Sequence, residues 1–304
     1  MKTILAKIIM MLAVVMSLNV YSADNSIYID QSGSGATISI TQDGYGNVVR
    51  GIQGSGSGNT TPATIYGDNN QVTVNQVGNG NTLSMGIRTT TGSGQGNPTV
   101  DYSVNGNSAT AVINSNNGGG DTSVSNSITA TQTGNLANLN VNVIGGGNTV
   151  NATTAGGSSN SVVSTINGNG NTQNITMVGG GNNSATVTQG TNGISALGTS
   201  GVSSNNSVGI NSSGASNTFG ISQDGGTNGN TVSIAGYSSG SNMVGNSNTV
   251  TVQQSGSADN TAILGITGST NTVSVTQAAS AGNNVANIKV NGGSNSVTVN
   301  QNNH

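Results

Sequence analysis

Asn248-Thr-Val-Thr-Val-Gln-Gln254 recurs as Asn271-Thr-Val-Ser-Val-Thr-Gln277 and again as Asn295-Ser-Val-Thr-Val-Asn-Gln301. The shared form is Asn-x-Φ-x-Φ-x-Gln, with Φ small or aliphatic. It also spans Asn25–Gln31, Asn70–Gln76, Asn126–Gln132, Asn183–Gln189 and Asn217–Gln223. Alternation at period two predicts a strand whose Asn, two Φ residues and Gln point to one face. That face carries an amide at each end and apolar groups between. A stack of rungs accommodates such a face many times over. Identical side chains then lie one above another at roughly 4.8 Å, and amides bond along the column.

Composition agrees with a thin, extended core. The 304 residues include no Cys, no Trp, one His and 49 Gly, and only 4% are charged. Low charge, few Pro and abundant amides beside β-branched residues fit a solenoid or an amyloid-forming chain. Large apolar residues are too sparse for one globular core, but a core one side chain deep is within reach. With no Cys, no disulfide braces the chain.

Residues 1–23 differ in kind. Lys2 and Lys7 precede an apolar run from Ile8 to Val20, followed by Ser22 and Ala23. This predicts a secretory signal peptide cut after Ser22 or Ala23, too short to span a membrane stably. Its removal leaves Arg50, Arg88 and Lys289 against eight Asp, a formal charge of 3 − 8 = −5. Nucleic-acid binding, which calls for a basic face, is not expected.

Residues 24–304 read as one repeat domain. Strand starts at Asn126, Asn138, Asn148, Asn160, Asn171 and Asn183 are 12, 10, 12, 11 and 12 residues apart. Starts at Asn248, Asn260, Asn271, Asn284 and Asn295 follow at 12, 11, 13 and 11. Each interval fits a strand of about seven residues and a tight turn. Gly follows two residues after Gln31, Gln42, Gln76, Gln132, Gln223 and Gln254, where a reversal calls for positive φ. Arms ending in Gln alternate near the C-terminus with arms ending in Ile266 or Val290. The expected fold is all-β: a β-solenoid of strand-turn-strand rungs with a flattened two-sheet interior, twelve or so rungs making a rod of about 58 Å. An irregular loop is expected at about 88–106, around Pro98. Gln arms at Asn183 and Asn217 are 34 residues apart, which reads as three arms rather than two; a phase slip and a three-armed section both fit. The expected structural amide ladder comprises Asn25, Gln31, Gln42, Asn70, Gln76, Asn126, Gln132, Asn183, Gln189, Asn217, Gln223, Asn248, Gln254, Asn271, Gln277, Asn295 and Gln301.

The strings Gln42-Asp-Gly-Tyr-Gly-Asn47, Gln76-Val-Gly-Asn-Gly-Asn81 and, one residue longer, Gln254-Ser-Gly-Ser-Ala-Asp-Asn260 resemble the curlin repeat of bacterial curli fibres. The resemblance is strong over Asn25–Asn81 and Asn217–Gln301 and diluted between. Typical curlin repeats place Gln on both arms, whereas here one arm often carries Ile, Val or Met. The resemblance implies a subunit of an extracellular functional amyloid, with roles in adhesion and biofilm matrix. It implies export through the periplasm and an outer-membrane channel to the cell surface. Its partners would be copies of itself (a homopolymer) and a nucleator subunit.

No catalytic constellation is present: the sole His304 is terminal, Cys and Glu are absent, and the Asp residues scatter through turns and strand ends. No enzyme, cofactor or metal site is therefore expected; calcium-binding nonapeptide repeats would place Asp at every turn. A non-polymerising β-solenoid adhesin or phage-type fibre stalk is the alternative reading. Tyr28, Tyr45 and Tyr66 read equally as stacking platforms or as single surface aromatics.

Overall fold

The computed structural model describes residues 24–33, 35–52, 61–67, 69–88, 99–116, 126–178, 181–190, 206–224, 229–236, 238, 243–280 and 282–303. The predicted signal peptide (1–23) and His304 lie outside the described residues.

The chain crosses back and forth between two sheets. The first arm is β1 (Ser26–Ile27) with β2 (Ile29–Ser32), and β3 (Thr37–Asp43) returns on the opposite side. Then come β4 (Val48–Gly51) with β5 (Ala63–Tyr66), β6 (Gln71–Val77), β7 (Thr82–Arg88), β8 (Thr99–Asn105), β9 (Thr110–Asn116) and β10 (Ser127–Thr133). The middle holds β11 (Asn138–Ile144), β12 (Thr149–Ala155), β13 (Ser161–Asn167), β14 (Thr172–Val178), β15 (Ser184–Gln189) and β16 (Ser207–Ser213). The last section is β17 (Thr218–Gln223), β18 (Thr231–Ala235) with β19 (Met243–Val244), β20 (Thr249–Ser255), β21 (Asn260–Thr267), β22 (Thr272–Ala279), β23 (Asn284–Asn291) and β24 (Ser296–Asn303).

Every strand pairing is parallel and joins an arm to the one two passes later. β20, β22 and β24 stack with Gln254 over Gln277 over Gln301. The first sheet, from β1 to β24, has eleven layers, and the second, from β3 to β23, has ten. At about 4.8 Å per layer the stack is roughly 50 Å long, somewhat shorter than twelve rungs would give.

Alternation sets what lies inside. Along β20, Asn248, Val250, Val252 and Gln254 are buried while Thr249, Thr251 and Gln253 are exposed. Leu83, Ile113, Leu139, Val141, Phe219 and Val273 from the first sheet join Val74, Tyr102, Ile128, Ile175 and Leu264 from the second in one apolar layer. Full burial of each such large side chain contributes about 1.5–3 kcal/mol. A slip of one residue would turn Val out and Thr in, so the layer pins the register.

Three sequence expectations are corrected. The loop expected at about 88–106 is shorter, because β8 is a full strand with Val100, Tyr102 and Val104 inward. The strand was hidden because neither end of its inward face carries Asn or Gln. Among the described residues between Asn183 and Asn217 there are two arms, not three: β15 is followed by β16 and then β17, which stacks directly on β15. The extra residues fall at 191–205, outside the described residues. The arm assigned to start at Asn138 is out of phase by one. Ala137 is inward and Asn138 exposed, so the spacings 12 and 10 around it become 11 and 11.

Turns stack as closely as strands. Gly78 donates its N–H to the Asp43 carbonyl at 2.9 Å, and Gly106 donates to the Val77 carbonyl at 3.0 Å. Gly78 has φ 109, and a Cβ built there would collide with the Gly106 carbonyl of the next turn. Glycine is thus required by backbone conformation and by the approach of the next rung. A second left-handed position falls just before most of the inward Asn slots and tolerates Ser, Asn and even Thr270 (φ 64). We predict that Gly78→Ala lowers stability by more than about 1 kcal/mol, and that Thr270→Gly raises it by up to about 1 kcal/mol, both read by denaturant melts.

Candidate assembly site: amide columns and open edges

The Asn at the start of each arm is bonded mainly to backbone. Its Oδ1 accepts the backbone N–H of the equivalent residue one rung on. In the first sheet Asn183 donates to Asn160 (3.1 Å), Asn217 to Asn183, Asn248 to Asn217, Asn271 to Asn248 and Asn295 to Asn271 (3.0 Å each). In the second, Asn148 donates to Asn126 and Asn171 to Asn148 at 3.0 Å, Asn206 to Asn171 at 3.0 Å, Asn230 to Asn206 at 2.7 Å and Asn260 to Asn230 at 2.9 Å. Nδ2 then donates to a turn carbonyl of the next rung, as Asn248 does to Gly268 at 2.9 Å and Asn271 to Gly292 at 2.8 Å. One side chain therefore ties a strand to the next rung and to its turn.

Gln bonds side chain to side chain. Gln189 Nε2 donates to Gln223 Oε1 at 3.0 Å, Gln223 to Gln254 at 2.8 Å, Gln254 to Gln277 at 2.8 Å and Gln277 to Gln301 at 2.7 Å. Nε2 also donates to a carbonyl at the start of the preceding arm: Gln254 to Thr231 at 3.1 Å, Gln277 to Thr261 at 3.0 Å and Gln301 to Val285 at 2.9 Å.

These residues do not form one ladder. The Gln189–Gln301 column lies in the first sheet, whereas Gln42 donates to Gln76 (2.7 Å) in the second. In the first sheet the same slot is filled by Gln31, Ile65, Ile87, Ser115, Val143 and Ile166 before Gln189. Gln31 is exposed and donates to the Gly33 carbonyl at 2.9 Å. Asn25 accepts from the Asn47 N–H at 2.9 Å, and Asn70 donates to the Gly67 carbonyl at 3.0 Å. Several members were missed, including Asn47, Asn81, Asn206 and Asn230. Each precedes a period-two alternation, but requiring Gln at the far end of the strand concealed them.

Breaks in the columns have readable causes. Gln189 Oε1 has no partner because its neighbour on the other side is Ile166, which has no donor. Asn70 Oδ1 is unpartnered too: Gln71 pairs with Thr99, and the residue before Thr99 is Pro98, which lacks an N–H. Gln132 lies between Val104 and Thr154. Its Oε1 accepts from the Tyr102 hydroxyl at 2.7 Å, while its Nε2 and Thr154 Oγ1 stay unsatisfied. Burial pushes the Tyr102 phenol above its ordinary pKa, so it remains a neutral donor.

Both ends of the stack are open among the described residues: β1, β2 and β3 pair on one side only, as do β23 and β24. Ile38, Ile40, Val297 and Val299, inward in register, are only half-buried there, because no further rung covers them. Elsewhere on the surface, Tyr45 is 52% exposed, and the Arg88 guanidinium lies 5.8 Å from the Tyr66 ring centroid. No helix among the described residues is long and apolar enough to cross a membrane.

Stacked parallel arms around a shared apolar layer, with amides bonded along the axis, define a β-solenoid repeat protein. Residues 245–278 match the family model of the curlin associated repeat, so that segment is similar to a curlin repeat. The segment takes in a Gln arm, an aliphatic arm and the next Gln arm. No curated protein matches the chain. The curlin-repeat family is one of structural proteins, and the all-β repeat fold of the described residues fits such a role.

Interior and interrupted columns should respond oppositely to loss of the amide. Gln254→Leu removes the donor to Gln277 and the acceptor of Gln223, and should cost about 1–3 kcal/mol. Tyr102→Phe with Gln132→Leu removes both members of a half-satisfied pair, and should be neutral or stabilising in the same melts.

Proposed function

We propose that this chain is a secreted structural subunit that assembles through cross-β stacking into extracellular curli-like amyloid fibres, serving adhesion and biofilm matrix. The observation that carries this reading is the open edge at each end of the stack. Backbone groups, inward aliphatics and amide columns all stop there in register, in the spacing that another rung would need. Folded proteins usually blunt such edges with charge, Pro or a covering element; β24 carries neither charge nor Pro, and β3 only Asp43 at its last position. In the proposed fibre such edges are the growing ends. Copies of the chain are then its main partner. A nucleating subunit and an outer-membrane export channel complete the expected system, and the basic, apolar leader at 1–23 is the expected export signal.

The test is to dilute the leaderless chain from denaturant and follow it by thioflavin fluorescence, electron microscopy and fibre diffraction. Unbranched fibres with a meridional reflection near 4.7 Å are the expected result. A β-rich monomer that stays dispersed would contradict it and favour a finished stalk. Replacing Thr298 and Asn300 together by Pro removes two N–H groups that β24 turns away from β22, and should abolish elongation; growth at the unmodified rate would exclude that edge as a docking surface.

A further inference from the structure

The described stack begins and ends in the same sheet, since β1–β2 and β24 both belong to the first, with its eleven layers against ten in the second. This parity restricts how two copies meet. A second copy added without rotation would lay its β1–β2 on β24, and its β3 would then sit two strand spacings, about 9.6 Å, beyond β23. One strand's worth of backbone partners would be missing from the second sheet at every joint. A half-turn of the second copy about the stack axis closes that gap. Short turns make the strands of the two sheets run in opposite directions, and a half-turn exchanges those directions. The incoming β1–β2 then continues β23 in parallel, and the incoming β3 continues β24.

We propose that successive copies in the fibre are related by a half-turn about its axis, so that the first sheet of one copy runs into the second sheet of the next. The proposal rests on the fibre reading above. Two further observations carry it independently of parity. With Thr37 set over Ser296, Gln42 falls over Gln301. The column Gln189–Gln301 then continues through Gln42 and Gln76 of the next copy without a break. Those two already make the same bonds as their first-sheet counterparts. Gln42 donates to Gln76 at 2.7 Å and reaches the Ser26 carbonyl at 3.5 Å; Gln277 donates to Gln301 at 2.7 Å and to the Thr261 carbonyl at 3.0 Å. The change of sheet by the Gln column within one chain is what a half-turn joint requires. Without rotation, Gln301 meets Gln31 and then Ile65, while Gln42 faces Val290 across the gap.

The second observation is charge. The charged residues of the five end strands are Asp30, Asp43 and Lys289. With Asn25 set over Asn284, Asp30 lies directly beside Lys289, both exposed on the outward face. Opposite charges side by side on neighbouring strands favour the pairing. Without rotation Asp30 falls beside Asn300.

Cysteine pairs read the joint directly, since the chain has no Cys of its own. Aligned residues on adjacent strands are about 4.8 Å apart, within disulfide reach, whereas the two ends of one copy lie too far apart to link. Thr298→Cys with Ser39→Cys reports the half-turn joint, and Thr298→Cys with Tyr28→Cys the unrotated one. Each leaderless variant is assembled, checked for fibres by microscopy, oxidised and run on a denaturing gel. The proposal expects reduction-sensitive multimers from the first pair and monomers from the second. The reverse pattern, or fibres that link in neither variant, overturns the half-turn while leaving the fibre reading intact. Absence of fibres from the unmodified chain overturns both. As a second readout, Lys289→Asp should slow elongation several-fold at low salt and added Asp30→Lys should restore it. Failure of the pair to restore the rate counts against the joint.

Discussion

The constraint on which the rest depends is the need to satisfy buried amides along one axis. An Asn or Gln side chain enclosed in an apolar layer loses its hydrogen bonds to water and must replace them from neighbouring rungs. A rung stacked in register offers those partners at the right height: mainly backbone groups for Asn, and another carboxamide for Gln. The requirement turns a local preference for strands into a global demand for parallel, in-register stacking. It makes the glycine column necessary, because turns must approach each other as closely as strands do. The aliphatic residues supply most of the burial energy, but they would tolerate sliding along the axis far better than the amides.

The two amides do different work. Asn ties side chain to backbone and so holds each turn to the next; its column is long in both sheets, broken at Ala109 and Ala137 in the first and at the slot before Thr99 in the second. Gln ties side chain to side chain and needs another Gln as neighbour, so its runs are short and a single Val or Ile ends them. Where a run ends inside the chain, an atom such as Gln189 Oε1 is left unsatisfied. Where it ends at an open edge, the same deficit is what the proposed fibre would fill with another copy. In that proposal, stability within one chain and attachment between chains are the same interaction read at different heights.

Much of this was legible in the sequence. Asn248 to Gln301 displays strand, turn, facing arm and amide column almost without interruption, because the repeat there is regular. Legibility failed where a slot residue changed chemistry without changing role. Ala137 fills an Asn slot beside a conspicuous Asn138, which shifted the assigned phase by one. Tyr102 and Val104 complete a strand whose inward face carries no amide at either end, so it passed for loop. The allocation of Gln to one sheet or the other could not be read at all. It depends on the number of arms between Gln76 and Gln189, and the residues at 191–205 obscured the count further along. Alternation fixes which residues face inward; only pairing reveals what lies above them.

The most direct test of the central claim is solid-state NMR of assembled material with labelled Gln side chains, seeking through-space contact between Gln254 Nε2 and the Gln277 carboxamide. Columnar amides predict a strong contact at hydrogen-bonding distance, shielded from solvent exchange. Gln side chains that exchange freely with water, and show no contact from one rung to the next, would contradict the account at its base.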